Sequence, residues 1–238
     1  MAKYEVNLIE KENVARDTIG FKFDRPKEFT FRAGQYVDIT LNNPAHTDDE
    51  GNRRTFTIGS SPNEKGYVCV ATRMRNTAFK NSLKEMSIGD TVTLEGPMGN
   101  FTLHKDISRP AVMIAGGIGI TPMRSMIADA SEKKLKNKIF LLYSNKTEQD
   151  VAFINELKNF EHANENLRVV ATLTREKKPG YESGHITPDM IRRYVGRDFK
   201  DAIYYIAGPP EMVSPMRATL EGMGISEDDM RIEEFEGY

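Results

Sequence analysis

The chain has 238 residues, 39% hydrophobic and 29% charged, enough to bury one or two ordinary cores without help from metals or disulfides. Lys plus Arg total 33 and Asp plus Glu 35, a net charge of -2 with no long run of one sign, which speaks against a nucleic-acid footprint. The one cysteine, Cys69, rules out an internal disulfide and any cysteine-ligated iron–sulfur cluster or zinc finger within the chain.

The opening residues, MAKYEVNLIEKENVARDTIGFKF, carry charges every few positions and lack the apolar core of a signal peptide. No stretch offers the roughly 18 consecutive apolar residues that a spanning helix needs. A cytoplasmic protein without membrane association is the expectation. Short runs rich in β-branched and aromatic residues, at 4–9, 18–23, 36–41, 55–58, 67–72 and 91–94, read as strands. Turn clusters such as Arg32-Ala33-Gly34, Ser61-Pro62-Asn63 and Gly96-Pro97-Met98-Gly99 separate them. One helix, over 78–86 with Thr77 as its cap, interrupts the series. Six short strands and a single helix close naturally as an all-β barrel.

From Arg109 onward the rhythm changes. Strands at 111–115, 139–143, 168–172, 203–206 and 231–235 alternate with helices at 122–130, 148–159, 188–194 and 210–223. That alternation predicts a parallel sheet with ligands at the carboxyl ends of its strands. The expected division is residues 1–107 for the barrel domain and 108–238 for the α/β domain, with no internal repeat.

The sharpest motif of the second half is AVMIAGGIGITP, from Ala111 to Pro122: an apolar strand, a glycine turn, then a helix. Gly116, Gly117 and Gly119 allow close backbone approach, and the following helix, with Pro122 suited to its first turn, presents free amides to a pyrophosphate. The spacing is not G-x-G-x-x-G, so by itself the turn also fits plain strand-to-helix packing. In the first half, RRTFTIGSSP from Arg53 to Pro62 puts Arg54, Phe56 and Ile58 on one face and Thr55, Thr57 and Gly59 on the other. An extended ligand fits such a strand, and so does an ordinary exposed surface.

Arg54-Thr-Phe-Thr-Ile-Gly-Ser60 resembles the Arg-x-Tyr-Ser flavin motif of the ferredoxin-NADP reductase superfamily, and the glycine turn resembles that family's nicotinamide-side motif. Phe31-Arg-Ala-Gly-Gln-Tyr36 resembles its barrel signature, Gly96-Pro-Met-Gly-Asn-Phe101 its barrel-closing turn, and Ala207-Gly-Pro-Pro-Glu-Met212 its late Cys-Gly-Pro motif. Five motifs in order span nearly the whole chain. The resemblance implies a six-stranded antiparallel Greek-key β-barrel that binds FAD, followed by a Rossmann-like parallel-sheet α/β domain that binds NADPH, with NADH as the alternative.

Carried over residue by residue, the resemblance implies that Arg54 pairs with the FAD pyrophosphate, Phe56 packs on the isoalloxazine and Thr57 hydrogen-bonds near flavin N5. Backbone groups around Ala71, Thr72 and Met74 would hold the ring or its chain, and the helix beginning near Ala78, with Lys80, would face phosphate oxygens. Gly116, Gly117 and Thr121 would receive the nicotinamide dinucleotide, flanked by Gly208 and Pro209. Thr174 and Arg175 resemble the stretch that grips a 2'-phosphate. Phe235 or Tyr238 would cover the flavin and move aside as a gate. Thr57, Thr121 and Tyr238 are thus expected closest to the chemistry. Three departures stand out: Phe56 for tyrosine, Thr57 for serine, and Ala207 for cysteine.

Hydride transfer between stacked rings needs orientation more than a strong acid or base. His46, His104, His162 and His185 lie outside the matched motifs and read as surface or structural; Cys69 reads as inert packing and Asp48-Asp49-Glu50 as a solvated loop, with no metal site. The implied activity is hydride transfer from NAD(P)H to FAD, then release of electrons to a separate ferredoxin, flavodoxin or oxygenase component. The alternatives are a diaphorase or flavin reductase acting on free small molecules, and a non-catalytic dinucleotide-binding subunit.

Overall fold

The computed structural model describes residues 2–235. Its first half is a six-stranded antiparallel sheet in the order β4-β3-β6-β1-β2-β5, built from β1 (Lys3–Ala15), β2 (Thr18–Asp24), β3 (Tyr36–Leu41), β4 (Arg53–Thr57), β5 (Tyr67–Arg73) and β6 (Thr91–Met98). The two ends of that order meet where the Gly59 amide, just past β4, donates to the Cys69 carbonyl of β5 at 2.7 Å, which closes the barrel. Alternate residues of each strand, among them Val6, Leu8, Phe21, Phe23, Val37, Ile39, Phe56, Val92 and Leu94, fill its interior. Helix α1 (Ala78–Glu85) plugs one end with Phe79 and Leu83, and Thr77 caps it as expected, accepting from the Lys80 amide.

Strand β1 runs further than its pattern predicts. Alternating burial stops at Leu8, where a bulge shifts the register, and residues 9–13 are exposed. The strand then continues because its hairpin tip docks on the second half: Val14 and Ala15 pack against that half's core, and Arg16 makes a bidentate contact with Asp150 at 2.7 and 2.9 Å.

The second half is an all-parallel sheet in the order β10-β9-β8-β7-β11-β12, from β7 (Ala111–Gly116), β8 (Ile139–Asn145), β9 (Leu167–Leu173), β10 (Glu182–Ser183), β11 (Ile203–Gly208) and β12 (Met230–Glu234). Helices α2 (Ile120–Glu132) and α3 (Ile154–Ala163) cover one face; α4 (Pro188–Val195) and α5 (Pro210–Gly222) cover the other. Period-two alternation explains why β7 is buried throughout: Ala111, Met113 and Ala115 enter one core and Val112 and Ile114 the other. The strand order reverses between β7 and β11, the crevice where open α/β sheets bind ligands.

The helix expected over 148–159 does not form as one piece. Glu148–Asp150 is a 3-10 turn with a reciprocal Thr147–Asp150 capping box, Phe153 takes a left-handed conformation, and α3 starts only at Ile154. Asp150 is drawn out of the helix by its partners Thr147 and Arg16. The two-residue edge strand β10 was not foreseen.

Helix α2 lies between sheet and barrel, so nearly all of it is buried, polar residues included. Arg124 is 7% exposed and uses all five of its N–H donors. They reach the Gly59 carbonyl (2.9 Å) and both oxygens of Glu64 (2.6 and 2.8 Å) in the first half, and one oxygen of Glu156 (2.9 and 2.6 Å) on α3. Burial raises the Glu64 pKa, but this guanidinium outweighs it and holds the carboxyl below its usual range. The Ser125 hydroxyl donates to the Ser60 carbonyl beside it (2.7 Å), and Asn63 donates to Asp129 (2.8 Å).

Breaking a buried pair by removing one partner strands the other charge. Arg124→Met is therefore expected to lower the unfolding free energy by about 3–5 kcal/mol in a urea titration. Arg124→Lys, a point charge with fewer donors, should lose less. A methionine variant within about 1 kcal/mol of the parent would remove Arg124 from this role.

Glu233, on β12, generates a second expectation. One of its carboxylate oxygens is buried without a hydrogen-bond partner among the described residues, and burial pushes its pKa up to about 7 from 4.5. Between those values the native state holds the proton more tightly than the unfolded chain, so stability falls as pH rises through the window and levels off above it. Glu233→Gln should abolish that slope, with a difference from the parent that grows to roughly 3 kcal/mol between about pH 4.5 and 7. A pH-independent difference would mean that Glu233 does not titrate there.

Candidate functional site

Two of the cavities along the line where barrel and sheet meet share a wall. The first, about 250 Å³, lies on the barrel side and is lined by Glu50, Arg54, Thr55, Phe56, Thr57, Ala71, Thr72, Arg75, Thr77, Phe79, Lys80, Thr121 and Phe235. Strand β4 supplies the first wall. Arg54 stacks over the Phe79 ring, donates to the Glu50 carboxylate at 2.6 Å and reaches the carbonyls of Glu50, Gly51 and Arg53. The Glu50 carboxylate therefore occupies the guanidinium as an anionic ligand would. Phe56, 8% exposed, packs mainly on Phe79 within the barrel core, with its rings centred 5.8 Å apart, and shows only an edge to the cavity. Thr57 is 5% exposed and its hydroxyl makes no hydrogen bond among the described residues.

The helix α1 turn and the end of β5 bring cations to this wall. Lys80 donates to the Arg73 carbonyl at 2.8 Å, and its pKa is pushed down to about 8, first by burial and then by Arg75, Arg54 and Arg73. Arg54, Arg75 and Lys80 on this wall, with Arg73 beside it and 3.7 Å from Asp150, fit a ligand that carries phosphates. Arg73 and Arg75 escaped the sequence reading, which chose Met74 between them. Strand alternation was an available signal for Arg73, on the face of Ala71, but not for Arg75, which lies past the end of β5. Met74 itself packs on the barrel core, and its amide is spent on the Asp17 carbonyl at 2.6 Å. Ala78 opens α1 beside the cavity without lining it.

The second cavity, about 430 Å³, lies at the carboxyl edge of the parallel sheet. Its walls include Arg73, Arg75, Gly116, Gly117, Ser144, Asn145, Lys146, Asp150, Thr174, His185, Pro209, Glu211 and Met212. Arg75 lines both cavities, so they are neighbours. Gly117 has φ +53 and nothing within 4 Å of where a Cβ would stand, so it leaves open space in front of the α2 amino end. Gly119 is required for a different reason: a Cβ there would lie 2.2 Å from the Ala207 carbonyl oxygen, so only glycine lets the turn cross β11. Thr121, 3% exposed, donates to the Ile118 carbonyl at 2.7 Å and faces the barrel cavity rather than the sheet cavity.

The remaining expected residues divide. Thr174 and Pro209 line the sheet cavity, and the Gly208 carbonyl accepts from the Phe235 amide at 3.0 Å, which brings the C-terminal aromatic to the barrel cavity. The Arg175 amide donates to the Lys146 carbonyl, but its side chain does not line the cavity; Lys146 does. Tyr238 lies outside the described residues. His185 lines the sheet cavity despite its isolation in sequence. His104 is structural as expected, bridging the Tyr205 hydroxyl and the Arg109 carbonyl at 2.9 Å each, with burial lowering its pKa. Cys69 is buried and its thiol is pushed up to about 12, which leaves it inert. No cluster of metal-ligating side chains occurs among the described residues.

A cationic, aromatic-edged cleft on the barrel and a glycine cradle at a helix amino end on the sheet fit a flavin and a nicotinamide dinucleotide. Known proteins agree. Residues 5–103 match the oxidoreductase FAD-binding domain family and residues 113–218 the oxidoreductase NAD-binding domain family. The chain is 28% identical to human NADH-cytochrome b5 reductase 2, covering 95% of this chain and 93% of that protein. It is 26% identical to the reductase component of propane 2-monooxygenase from Rhodococcus jostii, covering 94% of this chain and 61% of that one. Its fold superposes on ferredoxin NADP+ reductase from Neisseria gonorrhoeae, solved with bound FAD and NADP, with a TM-score of 0.82 at 20% identity over 98% of both chains. With a flavin-side barrel, a nicotinamide-side sheet and both family matches in order, the chain belongs to the ferredoxin-NADP reductase superfamily of FAD-dependent NAD(P)H oxidoreductases.

Proposed function

We propose that this flavoenzyme draws its hydride from NADPH and delivers electrons to a separate protein acceptor of the ferredoxin, flavodoxin or oxygenase-component kind. The observation that carries it is the adjacency of the two cavities across Arg75, which lets one bound ring face another at the barrel–sheet junction. When bound, FAD supplies the conversion of a two-electron hydride into single electrons. The chain's own residues do the rest. Arg54, Lys80 and Arg75 neutralise phosphates; Ala71 and Thr72 on β5 and Thr57 on β4 border the place for the ring. Phe235, tied through its amide to Gly208, stands at the rim as the aromatic that gives way to the nicotinamide.

The donor preference rests on the end of β9. Where an NADH site offers a carboxylate to the ribose 2'-hydroxyl, this cavity offers Thr174 and Lys146, a hydroxyl and a cation suited to a 2'-phosphate. The nearby Asp150 has its oxygens committed to Arg16 and Thr147. The relatives named for NADH make this a pointed comparison. For the acceptor, the support is the reductase component among the relatives, which by its name works within a larger oxygenase system. A cytoplasmic location is part of the same proposal.

The test is anaerobic stopped-flow reduction of the FAD-loaded protein, followed near about 450 nm, with each donor. NADPH should be favoured in kcat/KM, and Thr174→Asp should reverse the ratio by about tenfold or more, equivalent to about 1.4 kcal/mol. Equal or better reduction by NADH overturns the donor assignment, and reduction by neither overturns the reductase. In turnover, a ferredoxin or flavodoxin should outcompete free FMN as acceptor; the reverse order would identify a flavin reductase.

A further inference from the structure

A third cavity, about 500 Å³, lies further along the junction of barrel and sheet and shares no lining residue with the two described above. Three separate stretches of chain build it: the 31–33 loop of the barrel, residues 102–107 between β6 and β7, and the second half of α2 with the turn that follows it. Helix α2 measures the separation. Thr121 near its amino end faces the barrel cavity and Lys133 past its carboxyl end lines this one, about 18 Å away along the helix.

The floor of this cavity is apolar. Phe31, Ala33 and Met126 are core residues that reach it, and Leu103 and Leu135 pack beside them. Ile107 on its lining is 61% exposed, more than any other large hydrophobic side chain among the described residues. Five cations surround that floor: Arg32, Lys105, Lys133, Lys134 and Lys136. Lys133 is paired with Asp129 at 2.7 Å, and Asp129, the one carboxylate of the lining, also accepts from Asn63 at 2.8 Å. The other four side chains make no hydrogen bond or ion pair among the described residues.

Cations at the carboxyl end of a helix are ordinary, because they answer its dipole. Two features here go beyond that. Arg32 and Lys105 arrive from other segments, and Lys134 stands in left-handed backbone, φ +51, just after the α2 cap. There the Leu135 amide donates to the Ala130 carbonyl at 2.9 Å and the Lys134 amide to the Ser131 carbonyl at 3.1 Å, the closing turn that is usually given to glycine. A side chain in that position costs backbone strain, and the chain carries an exposed lysine there.

We propose that this cavity is an effector site for a soluble amphipathic polyanion: an apolar chain or ring that lies on Phe31, Met126 and Leu135 and carries a phosphate or diphosphate that Arg32, Lys105 and Lys134 neutralise. Its volume suits a small molecule. An inorganic anion would leave the floor uncovered, and a neutral apolar molecule would leave the cations unanswered. Since the lining joins a barrel loop to α2, an occupant ties the two halves together and stabilises the native arrangement.

The probe is geranyl diphosphate, titrated calorimetrically into the FAD-loaded protein with adenosine 2',5'-bisphosphate in excess, beside inorganic pyrophosphate and geraniol. Geranyl diphosphate should bind with a Kd below about 100 µM, at least about tenfold more tightly than either fragment, and should raise the thermal midpoint. Lys134→Gly relieves the strained turn, so it should keep a thermal midpoint equal to or above the parent while weakening the probe about three- to tenfold. Combined with Lys105→Gln, the loss should exceed about 30-fold, with FAD reduction by NADPH within about twofold of the parent. No binding to the parent overturns the proposal, as does pyrophosphate binding as tightly as the probe or an unchanged affinity in the double variant. The readout is binding at a cavity apart from the donor's, so failure of the NADPH assignment leaves this test intact.

Discussion

The Arg124 guanidinium is a buried charge that barrel and sheet share. It is held by a carbonyl and a carboxylate from one half and a carboxylate from the other, in a position from which water is nearly excluded. Pairs of this kind return little net stability, because desolvating the ions cancels most of their attraction. What they impose is geometry. Arg124 grips the Gly59 carbonyl, two residues beyond Thr57, from the helix that carries Thr121 three residues earlier. The strand that borders the flavin-side cavity and the helix that begins at the nicotinamide cradle are thereby set relative to one another.

The same junction crowds like charges together and leaves space open. Arg54, Arg73, Arg75 and Lys80 converge closely enough to depress the lysine pKa, and Gly117 opens onto empty space. Each would be a fault in a protein that only had to fold. Together they mark where binding energy is stored, since groups fixed by the scaffold pay no reorganisation when a charged ligand arrives. The Glu50 carboxylate on Arg54 shows that the protein satisfies this demand internally when it can.

The sequence by itself determined the sequence of elements and the local chemistry. Period two in the first half, strand–helix alternation in the second, the Thr77 cap and the glycine turn are local properties, written within a few residues of where they act. Arg54, Thr57, Gly117, Thr174 and Phe235 were legible for that reason, each lying in a short motif beside the element that positions it.

Tertiary structure alone decided what depends on residues far apart in the chain. The far end of β1 persists because its tip docks on Asp150, and the helix expected from Glu148 breaks because the same carboxylate is recruited to that contact. Arg124 looks like an ordinary helix-surface arginine until α2 is enclosed from both sides. Arg73, Arg75, Lys146 and His185 belong to no motif, and they reach the cavities only because the strand ends converge at one edge. Whether a buried charge has a partner is likewise a sum over every neighbour in space. Local spacing carries no record of such neighbours, so the role of Arg124 was invisible in a sequence that announced the glycine turn plainly.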